Sequence, residues 1–296
     1  LEKHRGTGKP MFAVIWYGTP HSPWKALDAD KAPFSQLNEA SANHYGELAA
    51  MDRSLGTLRR KLRDLGIADN TLLVFCSDNG GLPGIAPKTV GGLRGFKGSV
   101  FEGGIRVPGI IEWLSSIKPR VTSYPACTMD LFPTVADIVG LPKDVFVEPL
   151  DGISLKPLFT KRLGERKQPI GFRYGSKLAW VDNRYKLLTE NLEKGQFQLY
   201  DLEADPNETG DLAAKQPKRL DRMKKELLAW NSDVEASFAG RDYPERKVSP
   251  ADPEPQFWYE LPAYQPYLAQ WKERWEFRSY IDRAKGKDGQ RGKKKR

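Results

Sequence analysis

The residues best suited to chemistry stand together in the segment VFCSDNGG, residues 74–81. An apolar run ends there in Asp78 and Asn79, and two glycines follow. A carboxylate beside a carboxamide offers hard oxygen ligands of the kind that Ca²⁺ and Mg²⁺ prefer. All of these residue types also favour turns, so the segment taken alone is more typical of a connecting loop.

Two further segments carry groups that an anionic ligand would need. Residues 91–113 form a glycine-rich stretch with Arg94, Lys97 and Arg106. Cations on such a stretch, shortly after a candidate metal site, favour an anionic substrate, although glycine also marks bulges and sharp bends. His21 follows an earlier apolar run in the segment GTPHSP. In isolation, His21 is more typical of a hydrogen-bonded loop histidine, and Lys97 of a solvated surface charge.

The patterns around these residues predict the elements that position them. Met11–Tyr17 and Thr71–Phe75 are continuous apolar runs of strand length. Between them, leucines and a methionine at three- and four-residue spacings predict a helix over 39–65, closed by Gly66. Strand, helix and strand in this order predict a βαβ unit with parallel strands. The carboxyl ends of both strands would then bring the histidine beside the Asp-Asn pair.

The pattern of apolar and polar residues changes at about residue 161. Before that point, Val107–Trp113 predicts a strand and residues 130–140 predict a short helix. After it, short alternating segments predict an antiparallel sheet, and residues 211–237 predict a helix. The fold class is therefore α/β: a mostly parallel sheet flanked by helices, with a smaller C-terminal antiparallel sheet-plus-helix subdomain. The predicted divisions are a main domain at 1–160, the small subdomain at 161–240, an aromatic-rich extension at 241–283 and a basic, disordered tail at 284–296.

The net charge of +9 does not predict a nucleic-acid partner. Residues 284–296 hold seven basic residues and one acid, so the rest of the chain carries a net charge of only +3. A terminal basic run is usually a solvated tail. We find neither a transmembrane pattern nor a signal peptide, and we expect no membrane span. The opening Leu1-Glu2-Lys3 predicts that further residues precede this chain.

Taken together in their order, these segments resemble the sulfatases, the formylglycine-dependent sulfuric ester hydrolases of the alkaline-phosphatase superfamily. The resemblance covers residues 10 to about 215. It rests on five segments: GTPHSPW, DNTLLVFCSDNGG, LRGFKGSVFEGGIRVPGII, TMDLFPTVADIVGLP and YKLLTENLEKGQFQLYDLEADPNETGDLA. Each segment is weak evidence alone, whereas the ordered set is specific.

The resemblance implies a role for each candidate residue. Asp78 and Asn79 would be Ca²⁺ ligands, and Lys97 would contact a sulfate oxygen. His21 would hydrogen-bond the sulfate near its leaving oxygen, and Arg94 would add charge to the substrate-binding loop. Fixed cations and a donor at the leaving group suit sulfuryl transfer, because negative charge moves onto those oxygens. The implied substrate is a sulfated small molecule or a sulfated polysaccharide, and the implied location is periplasmic or extracellular.

One part of the family pattern is missing. The family nucleophile lies in Cys-x-Pro-Ser-Arg or its serine counterpart, and neither Cys76 nor Cys127 stands in that sequence. We therefore expect this chain to be the C-terminal portion of a sulfatase, with the formylglycine in an upstream segment and no activity without it. Two alternatives stay open. One is a phosphoesterase or phosphonate ester hydrolase of the same superfamily, and the other is a non-catalytic module that binds sulfated polyanions.

Overall fold

The computed structural model describes residues 1–4, 6–248, 258–273 and 277–278. Contacts divide the chain into two compact units, Leu1–Lys247 and Val248–Arg296. The described helices are α1 (Asp28–Lys31), α2 (Glu39–Asp64), α3 (Glu102–Ile105), α4 (Leu131–Val139), α5 (Pro217–Phe238) and α6 (Gln265–Trp271). The described strands are β1 (Leu73–Cys76), β2 (Gly109–Glu112), β3 (Ile170–Tyr174), β4 (Lys177–Asp182), β5 (Tyr185–Thr189) and β6 (Gln198–Asp201).

Helix α2 confirms the helix predicted over 39–65. The Asn38 side chain accepts a hydrogen bond from the Ser41 amide and so caps the first turn. At the other end, Gly66 has a φ of +68°, a conformation that glycine adopts at little cost. The amides of Gly66 and Ile67 bond back to carbonyl oxygens of the last turn. This pairing satisfies groups that the helix end would otherwise leave unpaired.

The predicted βαβ unit is wrong. Met11–Tyr17 forms no strand, and Phe12 and Trp16 are 84% and 92% exposed. Strand β1 instead pairs antiparallel with β2, which follows it in the chain, with Val74 opposite Ile111. An apolar run becomes a strand only where a neighbour satisfies its backbone groups. Among the described residues, β1 finds that neighbour downstream, so Asp78 and Asn79 follow the carboxyl end of an antiparallel strand.

The predicted antiparallel sheet is confirmed. Strands β3 to β6 form a meander in chain order, and every neighbouring pair is antiparallel. Helix α5 covers one face of this sheet with Met223 and Leu227, which are both completely buried. These are two of the residues whose spacing predicted an amphipathic helix. The sheet residues beneath them are Leu178, Trp180, Leu187 and Leu199.

The opposite face of the meander is covered by the glycine-rich stretch. Val100 and Phe101 pack there against Ala179, Leu188 and Tyr200. A sheet with both faces buried can hold an otherwise irregular loop in place. The small sheet therefore supports the segment that carries Lys97.

A buried ion pair attaches helix α4 to the same sheet region. The two terminal guanidinium nitrogens of Arg166 donate to the carboxylate of Asp130, at 2.8 and 2.9 Å, and both side chains are almost fully buried. Asp130 begins the short helix that the sequence predicted over 130–140, and Gly140 ends it with a φ of 72°. The pair fixes the start of α4 relative to the approach to β3.

The second unit is described only in part. Helix α6 carries a stacked pair, Tyr267 and Trp271, with ring centroids 5.6 Å apart. Part of the aromatic-rich extension predicted at 241–283 lies outside the described residues, as does the whole basic tail 284–296. The predicted boundaries near 160 and 240 stay predictions. No helix in the described part of the chain is both long and apolar enough to cross a membrane.

Candidate active site

Asp78 and Asn79 lie in a bend that directly follows β1. Ser77 Oγ donates to the backbone oxygen of Asn79 over 2.9 Å, which turns the chain at the strand end. The Asp78 side chain is exposed, and that of Asn79 is half-buried. In the part of the chain that the structure describes, no hydrogen bond or ion pair engages the Asp78 carboxylate. Its oxygens are therefore available to a ligand.

The glycine after this bend is locked against the glycine-rich stretch. The Gly80 amide donates to the carbonyl of Gly104 over 2.9 Å. A Cβ on Gly80 would lie 1.9 Å from the carbonyl oxygen of Gly103, which leaves room for hydrogen alone. Gly103 in turn donates to the carbonyl of Arg94 over 2.7 Å. These glycines serve close packing of backbone on backbone, a role that composition alone could not distinguish from approach to a ligand.

Lys97 lies next to the Asp-Asn bend. Its amide donates to the carbonyl of Gly81 over 2.9 Å, two residues beyond Asn79. The Lys97 side chain is exposed. Among the described residues it forms no ion pair with a carboxylate, so its ammonium group is open to a ligand. The structure thus places Asp78, Asn79 and Lys97 in one cluster of loops.

Arg94 connects this cluster to the small sheet. Its guanidinium donates to the Tyr200 hydroxyl and to the carbonyl of Glu208, at 3.1 and 2.9 Å. It also stacks on Phe101, with 3.9 Å between the guanidinium carbon and the ring centroid. These contacts give Arg94 a role in holding the glycine-rich stretch. Its predicted contact with substrate stays a prediction.

His21 lies on a separate segment that α2 braces. Its ring Nδ1 is 2.8 Å from the carbonyl oxygen of Ser22. Glu47 and Asn43 of α2 accept hydrogen bonds from the amides of Lys25 and Ala26, at 2.5 and 3.0 Å. Within the described residues, no hydrogen bond or ion pair joins the His21 side chain to Asp78, Asn79 or Lys97. The His21 segment and the loop that follows Asn79 are instead both held by helix α2.

The amino-terminal half of α2 supports both segments. Ser41 Oγ accepts from the amide of Ala86, and the Tyr45 hydroxyl donates to the carbonyl of Pro87, at 3.0 and 2.5 Å. His44, between them, is buried edge-on against Trp24 with centroids 5.7 Å apart. Burial lowers the pKa of His44, and a backbone hydrogen bond with Pro20 opposes that shift. Neighbouring turns of helix α2 thus contact both the segment that carries His21 and the loop that follows Asn79.

A buried ion network fixes the glycine-rich stretch to the sheet. Lys186 Nζ lies 2.9 Å from Glu102 Oε1 and 2.8 Å from Glu208 Oε1. Glu208 Oε2 accepts the amide hydrogen of Glu102 over 2.6 Å. Burial raises the pKa of Glu208, and the charge and hydrogen bond of Lys186 oppose that shift. The sequence interpretation missed this network, although a lysine inside the apolar strand YKLLT was a signal for it.

The donor atoms present suit a hard cation but form only part of a shell. Ca²⁺ takes six to eight oxygen ligands in proteins. Asp78 and Asn79 supply a carboxylate and a carboxamide oxygen, which have the right chemistry. The described residues contain no group of three or more His, Cys, Asp or Glu side chains that could hold a metal ion. A cation at this edge would therefore need ligands from beyond these residues.

Comparison with known proteins gives one consistent picture. The family model for sulfatases matches residues 1–141. Human arylsulfatase A is 32% identical over 269 residues, covering 78% of this chain and 50% of its own length. N-acetylgalactosamine-6-sulfatase of Sus scrofa is 37% identical over 190 residues, covering 60% and 34%.

Solved structures agree with these matches. A crystal structure of Ps i-CgsB in complex with k-i-k-neocarrahexaose superposes with a TM-score of 0.67 at 30% identity. It covers 77% of this chain and 51% of its own length. The chain therefore has the alkaline-phosphatase-like fold of these proteins, as predicted. It spans about half the length of human arylsulfatase A.

Proposed function

The chain belongs to the sulfatase family, and from that premise we propose that it forms the C-terminal part of a sulfuric ester hydrolase. The observation that carries the proposal is the bond between the Lys97 amide and the Gly81 carbonyl, at 2.9 Å. It places the backbone of Lys97, whose exposed side chain forms no ion pair among the described residues, beside the bend that carries the exposed carboxylate of Asp78. An anionic ester and a divalent cation are the ligands that such an edge would accommodate together.

Each residue has a role in this proposal. Lys97 stabilises negative charge on a non-bridging sulfate oxygen, and His21 donates a hydrogen bond near the leaving oxygen. Asp78 and Asn79 hold part of the shell of a Ca²⁺ ion, which supplies positive charge opposite the sulfate. Arg94 secures the loop and adds charge to the substrate-binding edge. The formylglycine belongs to an upstream segment, so residues 1–296 alone are expected to bind a sulfate without turning it over.

The names of the relatives guide the choice of substrate and location. One is named an N-acetylgalactosamine-6-sulfatase, and another was crystallised with k-i-k-neocarrahexaose. We propose a sulfated carbohydrate as the substrate of this enzyme, in a periplasmic or extracellular setting. A phosphate ester or a phosphonate ester would present similar charge to the same cations, so turnover must decide between these esters.

The test uses the protein expressed from its complete reading frame. With Ca²⁺ present, it should hydrolyse 4-nitrophenyl sulfate faster than 4-nitrophenyl phosphate or a phosphonate monoester. Lys97→Ala should lower kcat/KM for the sulfate by about 10²–10³-fold, the usual effect of losing one group that stabilises transition-state charge. Lys88→Ala, an exposed lysine on the preceding loop, is the matched control and should leave the rate unchanged.

Three outcomes would contradict the proposal. Preferential turnover of the phosphate or phosphonate ester would identify the other hydrolase class. Sulfate ester turnover by residues 1–296 alone would contradict the upstream nucleophile. Absence of turnover, with tight binding of sulfated polysaccharide that is lost on deleting residues 284–296, would identify a polyanion-binding module.

A further inference from the structure

The turn between β3 and β4 lies against the glycine-rich stretch, one residue after Lys97. Lys177 Nζ donates a hydrogen bond to the carbonyl oxygen of Gly98 over 2.7 Å. The ring of Tyr174 lies 3.8–4.0 Å from the position that a Cβ on Gly98 would occupy. Tyr174 and Lys177 are directly paired across the hairpin, so their side chains project from the same face of it.

Tyr174 is held in place yet open to solvent. Its side chain is 62% exposed, and Lys177 Nζ lies 5.6 Å from the ring centroid. The neighbouring Arg173 is bound to α5 by Glu235 and Asn231, at 2.6 and 3.2 Å, which fixes the strand beneath the ring. A tyrosine restrained by its backbone and by one edge presents a large surface for stacking at little further entropic cost.

The surroundings of this ring are positively charged. Within the described residues, none of Arg94, Lys97 and Lys177 forms an ion pair with a carboxylate. The carboxylates of Glu102 and Glu208 both lie against the buried Lys186 instead. Lys177 borders the exposed ring, and Lys97 directly precedes the glycine that the ring contacts, so this edge carries positive charge and favours an anionic ligand.

We propose that Tyr174 and Lys177 form a substrate subsite beside Lys97 that binds the sugar part of a sulfated carbohydrate. Tyr174 stacks on the C–H face of a sugar ring, and Lys177 attracts a further sulfate or carboxylate group of the same saccharide. The inference rests on the proposed function, because Lys97 is the group that would hold the sulfate ester to be cleaved. The inference adds Tyr174 and Lys177 as the residues that would recognise the sugar to which that sulfate is attached.

The chemistry of the hairpin favours a saccharide over a flat apolar alcohol. A sterol or another extended hydrocarbon would need an enclosed apolar wall to gain from burial. Tyr174 offers a single ring face with the Lys177 ammonium group 5.6 Å from its centroid, and that charge would be costly to bury against hydrocarbon. A pyranose ring has one apolar face and a polar rim, and so it matches both features of the hairpin.

The experiment measures binding and turnover separately, in the protein from the complete reading frame. The affinity for carrageenan, chondroitin sulfate and heparin oligosaccharides is measured by titration calorimetry, and the tightest binder serves as the probe. The kcat and KM for 4-nitrophenyl sulfate, which has no sugar, are measured alongside. The variants are Tyr174→Ala, Tyr174→Phe, Lys177→Arg and, as a matched exposed tyrosine elsewhere, Tyr243→Ala.

Tyr174→Ala should weaken binding of the saccharide probe about tenfold, a usual cost of truncating an aromatic contact residue. Its kcat/KM for 4-nitrophenyl sulfate should fall by less than its saccharide affinity, because that ester carries no sugar. Tyr174→Phe should bind as the parent does, because it keeps the ring, and Tyr243→Ala should be neutral. Lys177→Arg should retain saccharide affinity because it keeps the charge.

The inference would be overturned if Tyr174→Ala bound the probe as tightly as the parent, or if none of the saccharides bound. Equal losses with the saccharide and with 4-nitrophenyl sulfate would also overturn it, because they would indicate a disturbed loop. Failure of the proposed function has a different signature. Saccharide binding that depends on Tyr174, without hydrolysis of any sulfate ester, would leave the subsite standing and reject the hydrolase.

Discussion

Lys186 Nζ lies 2.9 Å from Glu102 Oε1, although one residue stands in a strand of the small sheet and the other begins the short helix α3. The lysine side chain is completely buried and the glutamate nearly so. Glu208 contacts the same ammonium group from a third segment. The ion pair thus joins the sheet to the stretch that carries Lys97, and it makes the position of that loop dependent on charges in the core.

We expect Lys186→Met to destabilise the protein by about 3–5 kcal/mol, because it leaves the buried Glu208 without a cation and leaves Glu102 with only the 3.8 Å contact to the exposed Arg106. Urea unfolding of the protein from the complete reading frame measures this change. Lys194→Met, an exposed lysine in the turn before β6, should change stability by less than about 0.5 kcal/mol. Adding Glu102→Gln and Glu208→Gln to Lys186→Met should recover part of the loss. A neutral Lys186→Met variant would show that the network contributes no net stability.

A second prediction concerns the close approach of Gly80 to Gly103. A methyl group on Gly80 would lie 1.9 Å from a backbone oxygen, so the loops must separate in Gly80→Ala. Overpacking of this kind costs about 1–3 kcal/mol, and the separation should also displace Asp78 and Lys97. Gly109→Ala is the control, since nothing lies within 4 Å of a Cβ there. Thermal unfolding gives the comparison, and equal melting temperatures for the two variants would contradict it.

The pH dependence of stability should include a term from His44. Burial lowers the pKa of this imidazole in the folded protein, while the unfolded chain has an ordinary histidine pKa of about 6.5. Between those two values the unfolded state binds more protons, so stability rises with pH. The contribution of His44 is complete above the unfolded pKa and is lost as the pH falls through 6.5 towards the folded value.

Removing the imidazole tests this sign. His44→Gln cannot be protonated, so its free energy of unfolding should fall less steeply than that of the parent between pH 7 and pH 5. His4→Gln, at an exposed position, should keep the parent slope. Parallel curves for the parent and His44→Gln would show that His44 does not titrate with folding.

Local sequence patterns predicted most of the individual helices and strands correctly. They did not predict which distant segments pair with one another. The leucine spacing of α2 and the short segments of β3 to β6 separated by turns are both patterns that a short window of sequence makes visible. The partner of β1 is not visible there, because it depends on which distant segment satisfies its backbone. The sequence interpretation chose Met11–Tyr17 by the usual βαβ rule, whereas β2 pairs with the strand in the structure.

The candidate site divides in the same way. Asp78, Asn79 and Lys97 could be chosen from residue types and order, because their chemistry is local. The residues that hold these side chains in place could not be identified so easily. In the sequence, Glu102 and Glu208 look like ordinary surface glutamates. Tyr174 and Lys177 acquire a place near the site only when the sheet packs against Val100 and Phe101.

The last prediction concerns Ca²⁺ and can be measured without turnover. If Asp78 supplies a ligand, Ca²⁺ should raise the melting temperature of the protein from the complete reading frame, because a ligand that binds only the folded state stabilises it. Asp78→Ala should then raise the Ca²⁺ concentration for half of that effect by about 10–100-fold, at least the loss seen when an outer partner of a ligand is removed. Asp221→Ala, at an exposed position on α5, should bind Ca²⁺ as the parent does. Because the Asp78 side chain is exposed, its loss should barely change the melting temperature in chelator. An unchanged Ca²⁺ response in Asp78→Ala would remove this residue from the metal site, whatever its effect on activity.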